Sequence, residues 1–226
     1  MTMPSLIANF QKKVISAQLK KFVSTINQAI DLAKAENGDY EYWNVAQGNS
    51  LKYANIFRDY LVPKLKINLS ACENIDFDSH YAKTRTSSFN YSPQKEECIG
   101  VLSDGAIIFD IADINAKDDK YSIIYTAFMV DVNGTKPPNR GGKDMFPFAV
   151  WLKADCDERC GMQVGQYLGV SYGETGLLIS GDRGMGSTSN PYPFCLFYEK
   201  PNPSYCALML QENNWEFPKN YPWNKL

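Results

Sequence analysis

One segment limits what this chain can become: residues 4–38 carry apolar side chains at unbroken helical spacing. Ile15, Leu19, Phe22, Ile26, Ala29 and Ala33 recur every three or four positions, while Lys12, Lys13, Lys20, Gln28 and Lys34 occupy the other face. Ser5 supplies a cap at the start, and Asn37-Gly38 a left-handed stop. At about 1.5 Å per residue such a helix runs roughly 45–50 Å, longer than a domain of this size needs for its own core. Part of it is therefore expected to project, or to pack on something outside the chain.

The remainder reads differently. An aromatic turn over residues 40–43 precedes a second helical stretch that starts at Ser50, carries Tyr53, Ile56, Phe57, Tyr60 and Leu61 on one side, and stops at Pro63. Residues 69–97 are polar and read as loop. Strands are expected at 98–102 and 106–109 around the turn Ser103-Asp104-Gly105, at 121–132, and at 146–152, the first three forming an antiparallel meander. A late hairpin is expected from 194–198 with 205–210. Between these, residues 161–190 are rich in Gly and Ser and read as an exposed excursion. The expected class is α+β: a long N-terminal amphipathic helix packed on an antiparallel β-sheet with disulfide-stapled loops, all in one domain. Its parts are a helical spine (1–38), a second helix and loop (39–97), and the sheet with its excursion (98–226). With 23 Lys and Arg against 25 Asp and Glu and no basic block, the chain shows no signal for nucleic acid or an anionic membrane surface as its main partner.

Six cysteines, Cys72, Cys98, Cys156, Cys160, Cys195 and Cys206, accompany a lone histidine, His80. Zinc sites draw on histidine or on paired C-x-x-C knuckles, and the only close pair here is Cys156-x-x-x-Cys160. Disulfides are favoured. Many pairings are open; Cys195 with Cys206 across the late hairpin is preferred, Cys72 with Cys98 can tie the long loop to the sheet, and Cys156 and Cys160 remain. Disulfides imply export, yet the chain carries neither a signal peptide nor an apolar run of about 20 residues. Met1-Thr2-Met3 reads as a replacement start, so a hydrophobic segment is expected ahead of the visible helix.

Chemistry is sparse. His80, beside Asp78 and Ser79, lacks a nucleophile elbow. The string Gly181-Asp182-Arg183-Gly184 lacks the lysine of a phosphate loop. Asp110 with Asp113, and Asp155 with Asp157 and Glu158, read as solvated charges. No catalytic residue is assigned. One constellation stands out: Asp131, Asn133, Asn139 and Asp144 offer carboxylate and amide oxygens on one turn, a donor set suited to Ca2+. The start D-x-N-G is that of an EF-hand loop, but Gly142 stands where its acidic twelfth residue belongs. The reading favoured over it is structural, with Asn133-Gly134 making the turn and Asp131 and Asp144 bonding loop amides and terminating strands. No other cofactor is expected.

Taken in order, several strings resemble the globular part of type IV pilin-like proteins, including the pseudopilins of type II secretion. These are the helix through Leu19-Lys20-Lys21-Phe22 to Glu36-Asn37-Gly38 with a tryptophan turn after it, Leu102-Ser103-Asp104-Gly105-Ala106, and Val130-Asp131-Val132-Asn133-Gly134 followed by Pro138-Asn139, Gly142, Asp144 and Phe146. Trp215 and Tyr221-Pro222-Trp223 close the series. The resemblance implies a lollipop-shaped subunit whose hydrophobic, cleaved and methylated N-terminal helix half anchors it in the inner membrane and then packs in a filament core. It implies self-assembly with other pilin or pseudopilin subunits, at the cell surface or in the periplasm of a bacterium. Ile7, Phe10, Val14 and Ala17 are then the expected intermolecular contacts, and the chain without that helix half is expected to be monomeric. Two rival readings stay open: a minor pilin or adhesin that binds a surface ligand, glycan or DNA through residues 161–190 with Tyr167, Tyr172 and Tyr192, and a secreted hydrolase, which the lack of a histidine-based site disfavours.

Overall fold

A computed structural model describes residues 3–38, 42–43, 48–49, 56–81, 93–117, 121–156, 176–179, 196–197, 200–201, 206–224 and 226. Helix α1 (Met3–Asn37) occupies the expected segment. It ends where Asn37 donates its side-chain N–H to the Ala33 carbonyl at 2.9 Å and Gly38 adopts φ +78°, a conformation glycine enters without steric cost. The indole of Trp43 donates to the Gly38 carbonyl at 3.1 Å and stacks on Tyr60 with ring centroids 4.3 Å apart. The end of the helix is thereby fixed to the next helical element, a π-helix at Ile56–Leu61.

The sheet is antiparallel throughout, with β2 (Ile67–Asn68), β3 (Cys98–Leu102), β4 (Ile107–Lys117), β5 (Tyr121–Asp131), β6 (Met145–Cys156) and β7 (Gly176–Ile179) side by side in that order. The two-residue β1 (Gly48–Asn49) pairs with β4 beyond the reach of β3. The predicted hairpin is present: Gly105 takes φ +93° and the Leu102 N–H bonds the Ala106 carbonyl at 2.8 Å. Lys21 of α1 reaches Asp104 at its tip, 3.0 Å away.

Period-two alternation along the strands divides the buried side chains into two cores. Ile108, Phe128, Val130, Phe146, Phe148 and Val150 pack with Leu19, Phe22, Ile26 and Ala33 of α1. Phe22 lies 5.3 Å from Phe148 and 6.2 Å from Phe128 between ring centroids. Ile107, Phe109, Met129 and Met145 form the other core with Cys72, Cys98 and Tyr81. The cover on that second face is the segment that the sequence presents as plain loop. It holds a 3-10 helix at Leu69–Asn74, α2 (Phe77–Tyr81) and a 3-10 turn at Lys95–Glu97, and the disulfide Cys72–Cys98 ties it to β3.

Four further expectations are corrected. Pro63 does not simply end the second helix; the π-helix passes into a 3-10 turn at Val62–Lys64, where proline sits in the first turn and no N–H is missed. Residues 205–210 are not a strand: α3 (Cys206–Glu212) is helical, because Ala207, Leu208, Met209 and Leu210 are strong helix formers. The late hairpin instead joins β8 (Leu196–Phe197) to β9 (Lys200–Pro201) in a separate two-stranded sheet. The excursion at 161–190 contains β7, a strand of the main sheet; its other residues, Tyr167 and Tyr172 among them, lie outside the described residues, as does Tyr192. Cys206 is disulfide-bonded. Cys160 and Cys195 lie outside the described residues, and Cys156 is described only as the last residue of β6.

Two predictions follow from the two cores. Phe22→Ala removes the aromatic bridge between helix and sheet and should lower unfolding free energy in denaturant by about 3–5 kcal/mol. Replacing both Cys72 and Cys98 by Ala, which opens a loop with a sequence separation of 26, should cost about 3–4 kcal/mol in the same measurement.

Candidate functional site

Asp131, Asn133, Asn139 and Asp144 come together in the connection between β5 and β6. Asp131 is the last residue of β5, on the face of the second core, and Asp144 immediately precedes β6. The Val132 N–H bonds the Asp144 carbonyl at 2.9 Å, closing the base of the loop. Gly134 (φ +68°) turns the chain where a Cβ would stand 2.6 Å from the Gly105 carbonyl oxygen, and Gly142 (φ +80°) does so where a Cβ would stand 2.6 Å from Cys206 Sγ. Both positions thus need glycine for conformation and for space.

Both carboxylates are fully buried. Asp144 Oδ1 accepts the Arg140 N–H at 2.7 Å, and its Oδ2 accepts the Asn139 N–H at 2.8 Å and the Asn133 side-chain N–H at 3.3 Å. Asp131 Oδ1 accepts the Asn133 N–H at 3.3 Å, and its Oδ2 accepts the Tyr81 hydroxyl at 2.9 Å. Among the described residues neither aspartate has a Lys or Arg within ion-pair distance. Burial pushes the Asp144 carboxyl up to about 6 against the pull of the loop N–H groups. Burial first, and then the charge of Asp144, hold Asp131 well above the usual carboxylate range.

Three segments distant in sequence close around this loop. Tyr81 comes from α2, and the Asn139 side-chain N–H groups bond the carbonyls of His80 at 3.0 Å and Thr135 at 3.2 Å. The β3–β4 turn supplies Gly105. The C-terminal segment contributes Cys206, the Tyr221 hydroxyl on the Gly142 carbonyl, and the Leu226 carbonyl, which accepts from the Arg140 guanidinium at 3.3 Å. Sequence reading found the four loop residues through their carboxylate and amide oxygens close together on one turn. It had no means to find Tyr81, which carries no motif and stands 50 residues from Asp131.

The second feature is the start of α1. Leu6, Ile7 and Phe10 are 58%, 56% and 68% exposed, and Val14 and Ala17 are exposed as well. Below them the C-terminal segment docks on the helix: Ser16 Oγ donates to the Trp215 carbonyl at 2.6 Å and Lys20 pairs with Glu216 at 3.0 Å. Phe10, Lys13 and Ala17 with Glu216 and Phe217 line a groove between the two.

The remaining candidates do not assemble. His80 lies half-buried on α2 with its imidazole against Tyr81. Asp110 is half-buried on β4, where Asp113 also lies; Asp155 is on β6, and Asp157, Glu158 and residues 181–187 lie outside the described residues. Among the described residues no three His, Cys, Asp or Glu side chains group as metal ligands, and no helix is long and apolar enough to cross a membrane.

The sequence matches a family of unknown function (DUF6613) over residues 5–225. No curated protein and no solved structure matches it significantly.

Raised carboxyl pKa values favour the protonated folded state. Their stabilising contribution is complete below the ordinary value of 3.8 and is lost as pH rises through about 6 for Asp144. In chelator-containing buffer, Asp131→Asn removes one of the two charges, and its amide can still donate to the Tyr81 oxygen and accept from Asn133. The melting temperature of this variant relative to the parent should therefore rise between about pH 4 and about pH 7.

Proposed function

The chain belongs to a family of unknown function (DUF6613), and we propose that it is a pilin-like structural subunit, of a type IV pilus or a type II secretion pseudopilus, that assembles through the N-terminal part of α1. The supporting observation is a division along one helix. From Ile15 to Ala33 the apolar stripe is buried, whereas Leu6, Ile7, Phe10 and Val14 continue it into solvent. Large apolar side chains repeated at helical spacing on an exposed face mark a contact surface. In a filament of helices packed side by side, that surface meets the same helix of neighbouring subunits. In this reading the subunit is held at the inner membrane before assembly, and the sheet and loops are displayed outward, at the cell surface or in the periplasm. The subunit has no catalytic role in this reading; its work is self-assembly and display.

The isolated chain should be monomeric by light scattering at micromolar concentration, since the exposed stripe of Leu6, Ile7, Phe10 and Val14 is by itself small beside the area a stable interface buries. In the producing cell, Ile7→Glu with Phe10→Glu should abolish sheared filaments labelled by antibody against this domain, while the same pair leaves the melting temperature of the isolated chain within about 2 °C. Undiminished labelled filaments from the double variant would overturn the proposal.

A further inference from the structure

We propose that the loop between β5 and β6 binds a divalent cation, Ca2+ by the chemistry of its donors, through Asp131, Asn133, Asn139 and Asp144. Two independent observations meet there. The first is charge: two fully buried carboxylates share one loop, and among the described residues no cationic side chain pairs with either. A pair of carboxylates removed from water is costly, and a single divalent cation balances both when they are ionised. The second is a pair of amide oxygens. Asn139 is 5% exposed, and its Oδ1, like that of Asn133, is buried without a hydrogen-bond donor.

The orientation of both amides is determined by their nitrogens. Asn139 Nδ2 faces the carbonyls of His80 and Thr135, and Asn133 Nδ2 faces the Asp144 carboxylate. Turning either amide over would set oxygen against oxygen, so the two Oδ1 atoms remain acceptors in need of a positive partner. Asn139 also holds Asp144 through its backbone N–H, which places its amide in the same loop as the carboxylate. Two carboxylates and two amide carbonyls make four hard oxygen donors. Ca2+ takes six to eight in flexible geometry, whereas Mg2+ requires a tight octahedron and retains several waters.

This inference does not rest on filament assembly, and its test uses the isolated chain. Tyr81, whose hydroxyl is 2.9 Å from Asp131 Oδ2, provides a local antenna. Excitation of tyrosine should sensitise luminescence from added Tb3+, and excess Ca2+ should quench it. Calcium chloride at about a hundredfold excess over Kd should raise the melting temperature over that in EDTA by about 5–10 °C, with a smaller rise in Mg2+. Asp131→Asn should stay folded in EDTA but lose the calcium shift, and Tyr81→Phe should retain the shift while weakening the sensitised emission. Absence of both signals in the parent chain, or a calcium shift that survives Asp131→Asn undiminished, would overturn the assignment and leave the loop as a purely hydrogen-bonded structure.

Discussion

The contact of Phe22 with Phe128 and Phe148 is the one on which the other layers depend. It sets the long helix across β5 and β6 and commits every second side chain of those strands to that interface. The alternate residues, Phe109, Met129 and Met145 among them, must then find a second cover. An antiparallel sheet can leave one face to water only where that face is polar, and here it is not. The irregular segment at 69–81 takes the role, with Phe77 and Tyr81 edge-on to Phe109 and Cys72 bonded to Cys98. A segment of short 3-10 turns has little cooperative stability of its own, which is why a covalent tie to β3 suits it.

The β5–β6 connection lies where these layers meet. Tyr81 reaches it from the second cover, Gly105 from the hairpin, and Cys206, Tyr221 and Leu226 from the C-terminal segment. The loop interior is acidic, and burying two carboxylates costs stability that an apolar loop would not forfeit. The backbone N–H groups of residues 133, 139 and 140 offset part of that cost by directing their dipoles at the aspartates. The same arrangement fixes the loop in one conformation, because three of the carboxylate oxygens are held by the loop's own residues 133, 139 and 140 and the fourth by Tyr81. The exposed end of α1 is the opposite case. Leu6, Ile7, Phe10 and Val14 remain largely exposed there, beside the groove formed with the C-terminal segment.

Much of this was legible in the sequence wherever structure follows from neighbours within a few residues. The helix declared itself by its 3.6-residue period and its Asn37-Gly38 stop, the first hairpin by Ser103-Asp104-Gly105, and the loop site by the spacing of its carboxylates and amides. Short elements were misread for lack of a period. Residues 205–210 form an apolar run that spacing cannot assign, and the propensities of Ala207 to Leu210 were the better guide. The four residues of β7 sit in Gly- and Ser-rich surroundings that obscure a strand, and single 3-10 turns leave no repeat to detect.

By itself, then, the sequence determined an amphipathic helix too long for its own core, an antiparallel meander, and a loop supplying two carboxylates and two amides. Only the tertiary structure decided that the apolar stripe is buried from Ile15 onward and open before it, that residues 69–81 form a second layer, and that both aspartates lie out of contact with water, Asp131 bonded to Tyr81. The reason is physical. Helical period and turn chemistry are local and are written in adjacent residues, whereas burial and its electrostatic consequences depend on which surfaces meet, and those surfaces come from segments tens to nearly two hundred residues apart.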